Sequence, residues 1–93
     1  MDTEKIEKLL KELNIDKTGK VQDEQYVIVL DDSNEYSRVY TKLDKYEGAD
    51  LDPEEMVMSD SSSIMIYLTD DFDITLKADF NEDRYYLIIE EAE

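Results

Sequence analysis

Residues 63–90 hold three strand-length apolar runs, SIMIYLT, FDITLKADF and RYYLIIE. They are joined only by Asp70-Asp71 and by Asn81-Glu82-Asp83. Parallel strands need a crossover of about a dozen residues or more, so connections this short dictate an antiparallel meander. The middle run alternates cleanly. Phe72, Ile74, Leu76, Ala78 and Phe80 fall on one face, and Asp73, Thr75, Lys77 and Asp79 on the other. The outer two runs are apolar on both faces.

The rest of the chain is read around this meander. Residues 25–30 (QYVIVL) are β-branched and apolar on both faces, which predicts a central strand. A polar turn at 31–35 leads to a weaker, half-polar strand at 36–43 (YSRVYTKL). Ahead of these, Ile6, Leu9, Leu10 and Leu13 recur at i, i+3, i+4 and i+7, the stripe of an amphipathic helix over about 3–13. Asn14 suits a left-handed C-terminal cap, with Ile15 folding back on the helix. Asp52-Pro53-Glu54-Glu55 has the chemistry of a helix start, but the serine run from Ser59 ends it, so a short helical turn or an irregular loop is expected near 53–58. The expected fold class is α+β: one domain over 1–93, an N-terminal amphipathic helix on one face of a roughly five-stranded antiparallel meander.

A simple meander places the 31–35 and 70–73 turns at one end of the sheet, and the 44–62 segment and the 81–83 turn at the other. A helix about 16 Å long, at about 1.5 Å per residue, covers only one sheet face. Ile64, Ile66, Leu68, Ile74, Leu76, Leu87 and Ile89 are expected inward. Met65, Tyr67, Thr75, Lys77, Tyr86 and Ile88 are expected on the other face. That face is apolar enough to imply a partner or self-pairing.

Charge is the second constraint. Twenty-six acids oppose ten bases, for a net −16. Residues 1–20 hold five acids and five lysines and sum to zero, so residues 21–93 carry the entire excess. Such a field repels nucleic acid and anionic membrane and attracts basic surfaces. There is no His and no Cys, which removes the commonest catalytic bases and nucleophiles, and with them disulfides and thiolate metal sites. With so many acids, adjacent carboxylates arise by chance, so no catalytic residue is assigned and the chain is read as a non-enzyme. Asp70-Asp71-x-Asp73 and Asp50-x-Asp52-x-Glu54-Glu55 offer oxygen ligands but miss the spacing and glycine of an EF-hand, so no metal and no cofactor is expected. The absence of Cys fits a reducing cytoplasm. The charged N-terminus is unlike a signal peptide, and no apolar run is long enough to span a bilayer.

What remains is a binding module. Carboxylates on turns and alternate strand positions, at about 3.3 Å per residue, approximate the roughly 3.4 Å advance per phosphate of one DNA strand. Tyrosines beside them supply contact area and a hydroxyl, as in interface hot spots. The size, the −16 charge, the N-terminal helix EKIEKLLKELNI and the acid-flanked strands of SIMIYLTDDFDITLKADF together make the chain similar to small acidic phage and mobile-element inhibitors. These include anti-CRISPR proteins of the DNA-mimic type, anti-restriction proteins and uracil-DNA glycosylase inhibitors. The resemblance implies an inhibitor that occupies the basic channel of a nucleic-acid-binding protein such as a CRISPR nuclease, in the host cytoplasm if phage-encoded, as a monomer or weak homodimer. It carries no common fold and no shared site. An immunity protein against a basic toxin nuclease, or an adaptor using the open sheet face, are the alternatives. The candidate partner-binding residues are Asp31, Asp32, Glu35, Asp70, Asp71 and Asp73 at one end, and Asp50, Asp52, Glu54, Glu55, Asp79, Glu82 and Asp83 at the other. Tyr67 and Tyr86 are the outward anchors, with Tyr40 and Tyr46 next.

Overall fold

The computed structural model describes residues 2–92. It is an α+β fold in two layers, with two helices against a seven-stranded antiparallel sheet. The first helix, α1 (Thr3–Glu12), starts at Asp2, whose Oδ1 accepts from the backbone N–H of Glu4 and Lys5. It ends as its sequence predicts. Asn14 takes φ 57°, Ile15 N–H donates to Leu10 O at 2.9 Å, and Asn14 N–H donates to Lys11 O at 3.0 Å. This is the paired bonding of a Schellman cap, and it buries Ile15.

The strands are β1 (Lys20–Gln22), β2 (Gln25–Leu30), β3 (Asp50–Leu51), β4 (Val57–Met58), β5 (Ser62–Leu68), β6 (Phe72–Asp79) and β7 (Arg84–Glu91). The order across the sheet is β1-β2-β7-β6-β5-β3, with β4 also pairing with β5. The β5–β6–β7 meander forms as expected. β2 is an interior strand, but its neighbour is the C-terminal β7, not the segment that follows it.

That following segment overturns the expectation of a half-polar strand at 36–43. Residues Ser33–Lys45 form a second helix, α2. Tyr36, Val39 and Leu43 make a helical stripe that packs on the core. Asp32 caps the helix by accepting from Glu35 N–H at 2.9 Å, and Lys42 and Lys45 occupy its last turn, where cations suit the helix dipole. Near 53–58 no helical turn forms, and the segment takes the irregular alternative up to β4. Residues 53–55 make a tight turn closed by Glu55 N–H to Asp52 O, between the two-residue strands β3 and β4.

The core corrects the predicted facing of β5. Met65 pairs with Leu76, and Tyr67 with Ile74, across the β5–β6 ladder. Since Ile74, Leu76, Leu87 and Ile89 all point inward, Met65 and Tyr67 do too, and both are buried. Ile64, Ile66 and Leu68 therefore face out. Both helices lie on the inner face: Ile6, Leu9, Leu10, Val39 and Leu43 join the buried strand residues in one cluster. Among the described residues no layer covers the opposite face.

Candidate acidic binding surface

Register assigns each acid to an end. Leu30 pairs with Tyr85, Asp79 with Arg84, and Ser62 with Asp79, so Asp31, Asp32, Asp79, Glu82 and Asp83 share one end. Gln25 pairs with Glu90, Phe72 with Glu91, and Leu68 with both Asp73 and Asp50, so Asp50, Asp70, Asp71 and Asp73 share the other. This corrects the simple-meander grouping, which put Asp31, Asp32 and Glu35 together with Asp70, Asp71 and Asp73. Because β3, the 53–55 turn and β4 carry the chain back along the β5 edge before β5 begins, the 31–35 turn falls beside the 80–83 turn. Asp52, Glu54 and Glu55 belong to neither end. They flank the β5 edge, where Asp52 N–H donates to Ile66 O at 2.8 Å and the Asp52 carboxylate accepts from Glu54 N–H.

The first end uses its acids to hold structure. Lys17 Nζ lies 2.6 Å from Glu35 Oε1 and 3.1 Å from Asp31 Oδ1, and donates to Val29 O at 3.1 Å. The same Glu35 oxygen accepts from Asp31 N–H at 2.8 Å. Hydrogen bonding to Glu35, outweighing the cost of burial, raises the Lys17 pKa above its ordinary value. Asp32 is the α2 cap, and Asp79 Oδ1 accepts from Glu82 N–H, closing the 80–83 turn. Asp83 stands in the left-handed region at φ 53°. Hydrogen bonding to Asp83 and then burial raise the Tyr85 pKa.

The second end is different. Among the described residues the only ion pairs are those of Lys17, so none of its carboxylates is neutralised by one. Asp23 and Glu24 in the β1–β2 turn, and Glu90 and Glu91 at the close of β7, join Asp50, Asp70, Asp71 and Asp73 there. Asp2 completes the group, its backbone N–H donating to Glu91 Oε1 at 3.2 Å. These additional acids escaped the sequence reading. The last apolar run in the sequence closes at Glu90, and nothing in residues 20–24 marks a hairpin. The row runs across the strand ends, not along a strand as the rise-per-residue comparison supposed. Strand positions on the open face also carry Lys20, Lys77 and Arg84. Among the described residues no three acids converge tightly enough to hold a metal ion.

The tyrosine anchors separate as well. Tyr86 is half-buried on the open face. Tyr67, expected outward, is 1% exposed, and its hydroxyl has no hydrogen-bond partner. Burial, with smaller contributions from Tyr40, Asp44 and Tyr36, pushes its pKa up to about 12. Tyr46 Oη donates to Glu12 Oε2 at 2.6 Å and staples α1 to the end of α2, and Tyr40 is exposed on α2.

No helix among the described residues is long and apolar enough to cross a membrane. No protein-family model matches the chain, and neither a curated protein nor a solved structure matches it.

Proposed function

We propose that this protein is an acidic inhibitor that fills a basic nucleic-acid-binding channel in place of nucleic acid, acting as an anti-CRISPR protein against a CRISPR nuclease. The observation that carries the reading is the unneutralised row of carboxylates from the β1–β2 turn through Glu90, Glu91 and Asp70–Asp73 to Asp50. Six strands at about 4.8 Å spacing make that row roughly 24 Å wide. At about 3.4 Å per phosphate, the same width spans roughly seven phosphates of one DNA strand. The nine carboxylates at this end thus approach the linear charge density of the backbone a basic channel is built to hold. Long-range attraction speeds encounter, and carboxylate–Arg pairs formed on contact fix orientation. The reading assigns no catalytic step and no cofactor.

The test is binding to a purified guide-loaded CRISPR nuclease, measured with and without saturating target DNA, at low and high salt. Competition by DNA together with weakening by salt is the expected result. Binding that DNA does not displace and salt does not weaken rules mimicry out. An immunity protein would use the same surface against a toxin nuclease, and substituting that enzyme in the same assay separates the two.

A further inference from the structure

Both edges of the sheet are closed to strand addition, but one whole face is not closed to anything. β1 has three residues, and β3 and β4 have two each, lengths that give a visiting strand little to pair with. Lys17 also occupies the Val29 carbonyl on β2, beyond the reach of β1. The open face is continuous and apolar at its centre. One row across the strands reads Val27, Ile88, Thr75, Ile66, and the next reads Val29, Tyr86, Lys77, Ile64. Val29 is 62% exposed.

Two properties of this face say what covers it. The first is its charge. The two central strands put Asp73, Lys77, Asp79, Arg84 and Glu90 on it, a balance of −1 on a chain of −16. A face meant for a basic partner would not gather bases from a chain that has so few. The second is the order of residues along β7, which reads Arg84, Tyr86, Ile88, Glu90. Positive and negative ends flank an apolar middle, so the pattern is complementary to itself when reversed. An isologous two-fold contact makes that reversal, because residue i of one copy meets residue j of the other and j meets i.

We infer that the open face packs against the open face of a second copy, β7 crossing β7 antiparallel, with Arg84 of each chain meeting Glu90 of the other. Tyr86 and Ile88 fill the middle; on β6 Lys77 meets the second copy's Thr75, two residues from its Asp73, and Asp79 meets Asp73, a like-charge pair that salt screens. Sheets stacked this way lie about 10 Å apart at about 30° and form a dry core between them. Five strand spacings of about 4.8 Å and six residues at about 3.3 Å give a face of roughly 24 by 20 Å. With side-chain relief, that is the low end of the range for specific interfaces, about 600 Å² or more per partner, so the dimer is of moderate strength. Apart from Asp73 and Glu90, the acidic row at the sheet end stays outside the contact and repels its copy through solvent. The dimer therefore tightens with salt, the opposite of what electrostatic capture by a basic channel requires.

Sedimentation equilibrium of the full chain at low salt and at about 0.5 M salt, where the screening length falls to a few ångströms, reads this directly. The expected result is a monomer–dimer equilibrium whose dissociation constant falls as salt rises. Ile88→Lys should abolish the dimer while circular dichroism shows the fold retained. Arg84→Glu and Glu90→Arg should each weaken the dimer about tenfold, and the two together should restore it. A monomer at about 1 mM in high salt overturns the proposal. A dimer that survives Ile88→Lys overturns the choice of face. Single charge reversals without effect, or a double variant that fails to recover, overturn the antiparallel register. Competition with DNA is read on the unaltered chain and on Ile88→Lys, neither of which loses a carboxylate of the acidic row, so the two readings fail separately.

Discussion

Both ends of the sheet are acidic, but they are differently employed. At the 31–35 and 80–83 end, Asp32 caps a helix, Asp79 closes a turn, and Asp31 and Glu35 hold Lys17. At the 70–73 end, Glu91 accepts from Asp2 N–H and Glu90 from Gln25 Nε2, but Asp70 and Asp71 stand exposed in a tight β5–β6 connection and their carboxylates accept from nothing among the described residues, with Asp50 alongside. The difference teaches that a carboxylate's function follows from what donates to it. Acids met by backbone N–H groups and an ammonium support the fold. Acids met by none leave their charge free for an outside partner, and their mutual repulsion opposes folding. Substitution at the first end should therefore cost stability, and at the second it should cost binding.

The largest stability effect belongs to Lys17. Its ammonium serves Glu35, Asp31 and the Val29 carbonyl at once, and the Glu35 side chain is only 18% exposed. Lys17→Met should leave that carboxylate without its cation and cost about 2 kcal/mol. This is less than the 3–5 kcal/mol of breaking a fully buried pair, because a quarter of the lysine side chain is in water. In a domain of this size that lowers the melting temperature by about 10 °C. A shift under about 2 °C would erase the distinction between the two ends. Because Lys17 comes from the charge-neutral first twenty residues, the result also measures how far that segment neutralises the acidic remainder.

At the other end the largest gain is conformational. Asp23 and Glu24 both adopt positive φ, 49° and 67°, in the two-residue β1–β2 turn. That turn favours Asn-Gly, since a side chain in the left-handed region costs about 1 kcal/mol or more. Asp23→Asn with Glu24→Gly should raise stability by about 1 kcal/mol, read by urea unfolding. The same change removes two charges from the row, so binding to a basic partner should fall as stability rises. If both rise together, the turn is not part of the contact.

Tyr67 gives a response that belongs to neither end. Its pKa lies near 12 in the folded protein, raised first by burial, against about 10 when unfolded. The unfolded chain therefore releases the proton first. The stability this group contributes is complete below about pH 10 and is lost as pH climbs toward 12. Tyr67→Phe should remove that share of the alkaline loss. Near neutral pH it should be neutral or stabilising by up to about 1 kcal/mol, because it deletes a buried hydroxyl with no partner. Melting curves at pH 8 and above 10, for both proteins, check this. An unchanged alkaline loss in Tyr67→Phe would assign it to Tyr46 and Tyr85, whose pKa values are also raised, chiefly by hydrogen bonds to Glu12 and Asp83.

What was legible in the sequence follows the strength of its patterns. α1, its Asn14 cap and the β5–β7 meander were readable to within about a residue, because stripe, cap and short turns agreed with one another. α2 was misread because Tyr36, Val39, Tyr40 and Thr41 are strand-favouring residues. The helical signal was present in Asp32-x-x-Glu35 and in the spacing of Tyr36, Val39 and Leu43, but it competed with β-propensity. The facing of β5 was not legible at all. SIMIYL is apolar at every position but its first, so only pairing with the alternating β6 decides that Met65 and Tyr67 go in. The division of the acids failed because it depends on β3 and β4, two-residue strands with no sequence signal of their own, carrying the chain back along the β5 edge. Individual acidic residues were visible from the start, but their partners were not.

The smallest expected stability effect is the most informative about the site. Asp70 and Asp71 are exposed, and their carboxylates accept no hydrogen bond among those of the described residues. Asp70→Asn with Asp71→Asn keeps their size and removes two charges. Stability should change by less than about 0.5 kcal/mol, and any change should be a gain, since surface positions without structural partners tolerate substitution and these two sit in a repulsive row. High salt should shrink that gain, because screening already relieves the repulsion in the unaltered protein. Binding to a basic channel should instead weaken by more than tenfold, a factor that corresponds to about 1.4 kcal/mol. Stability and affinity measured on this one variant set the two ends directly against each other. A loss of stability comparable to that of Lys17→Met would mean that the second end also holds the fold, and the division of labour between the ends would be gone.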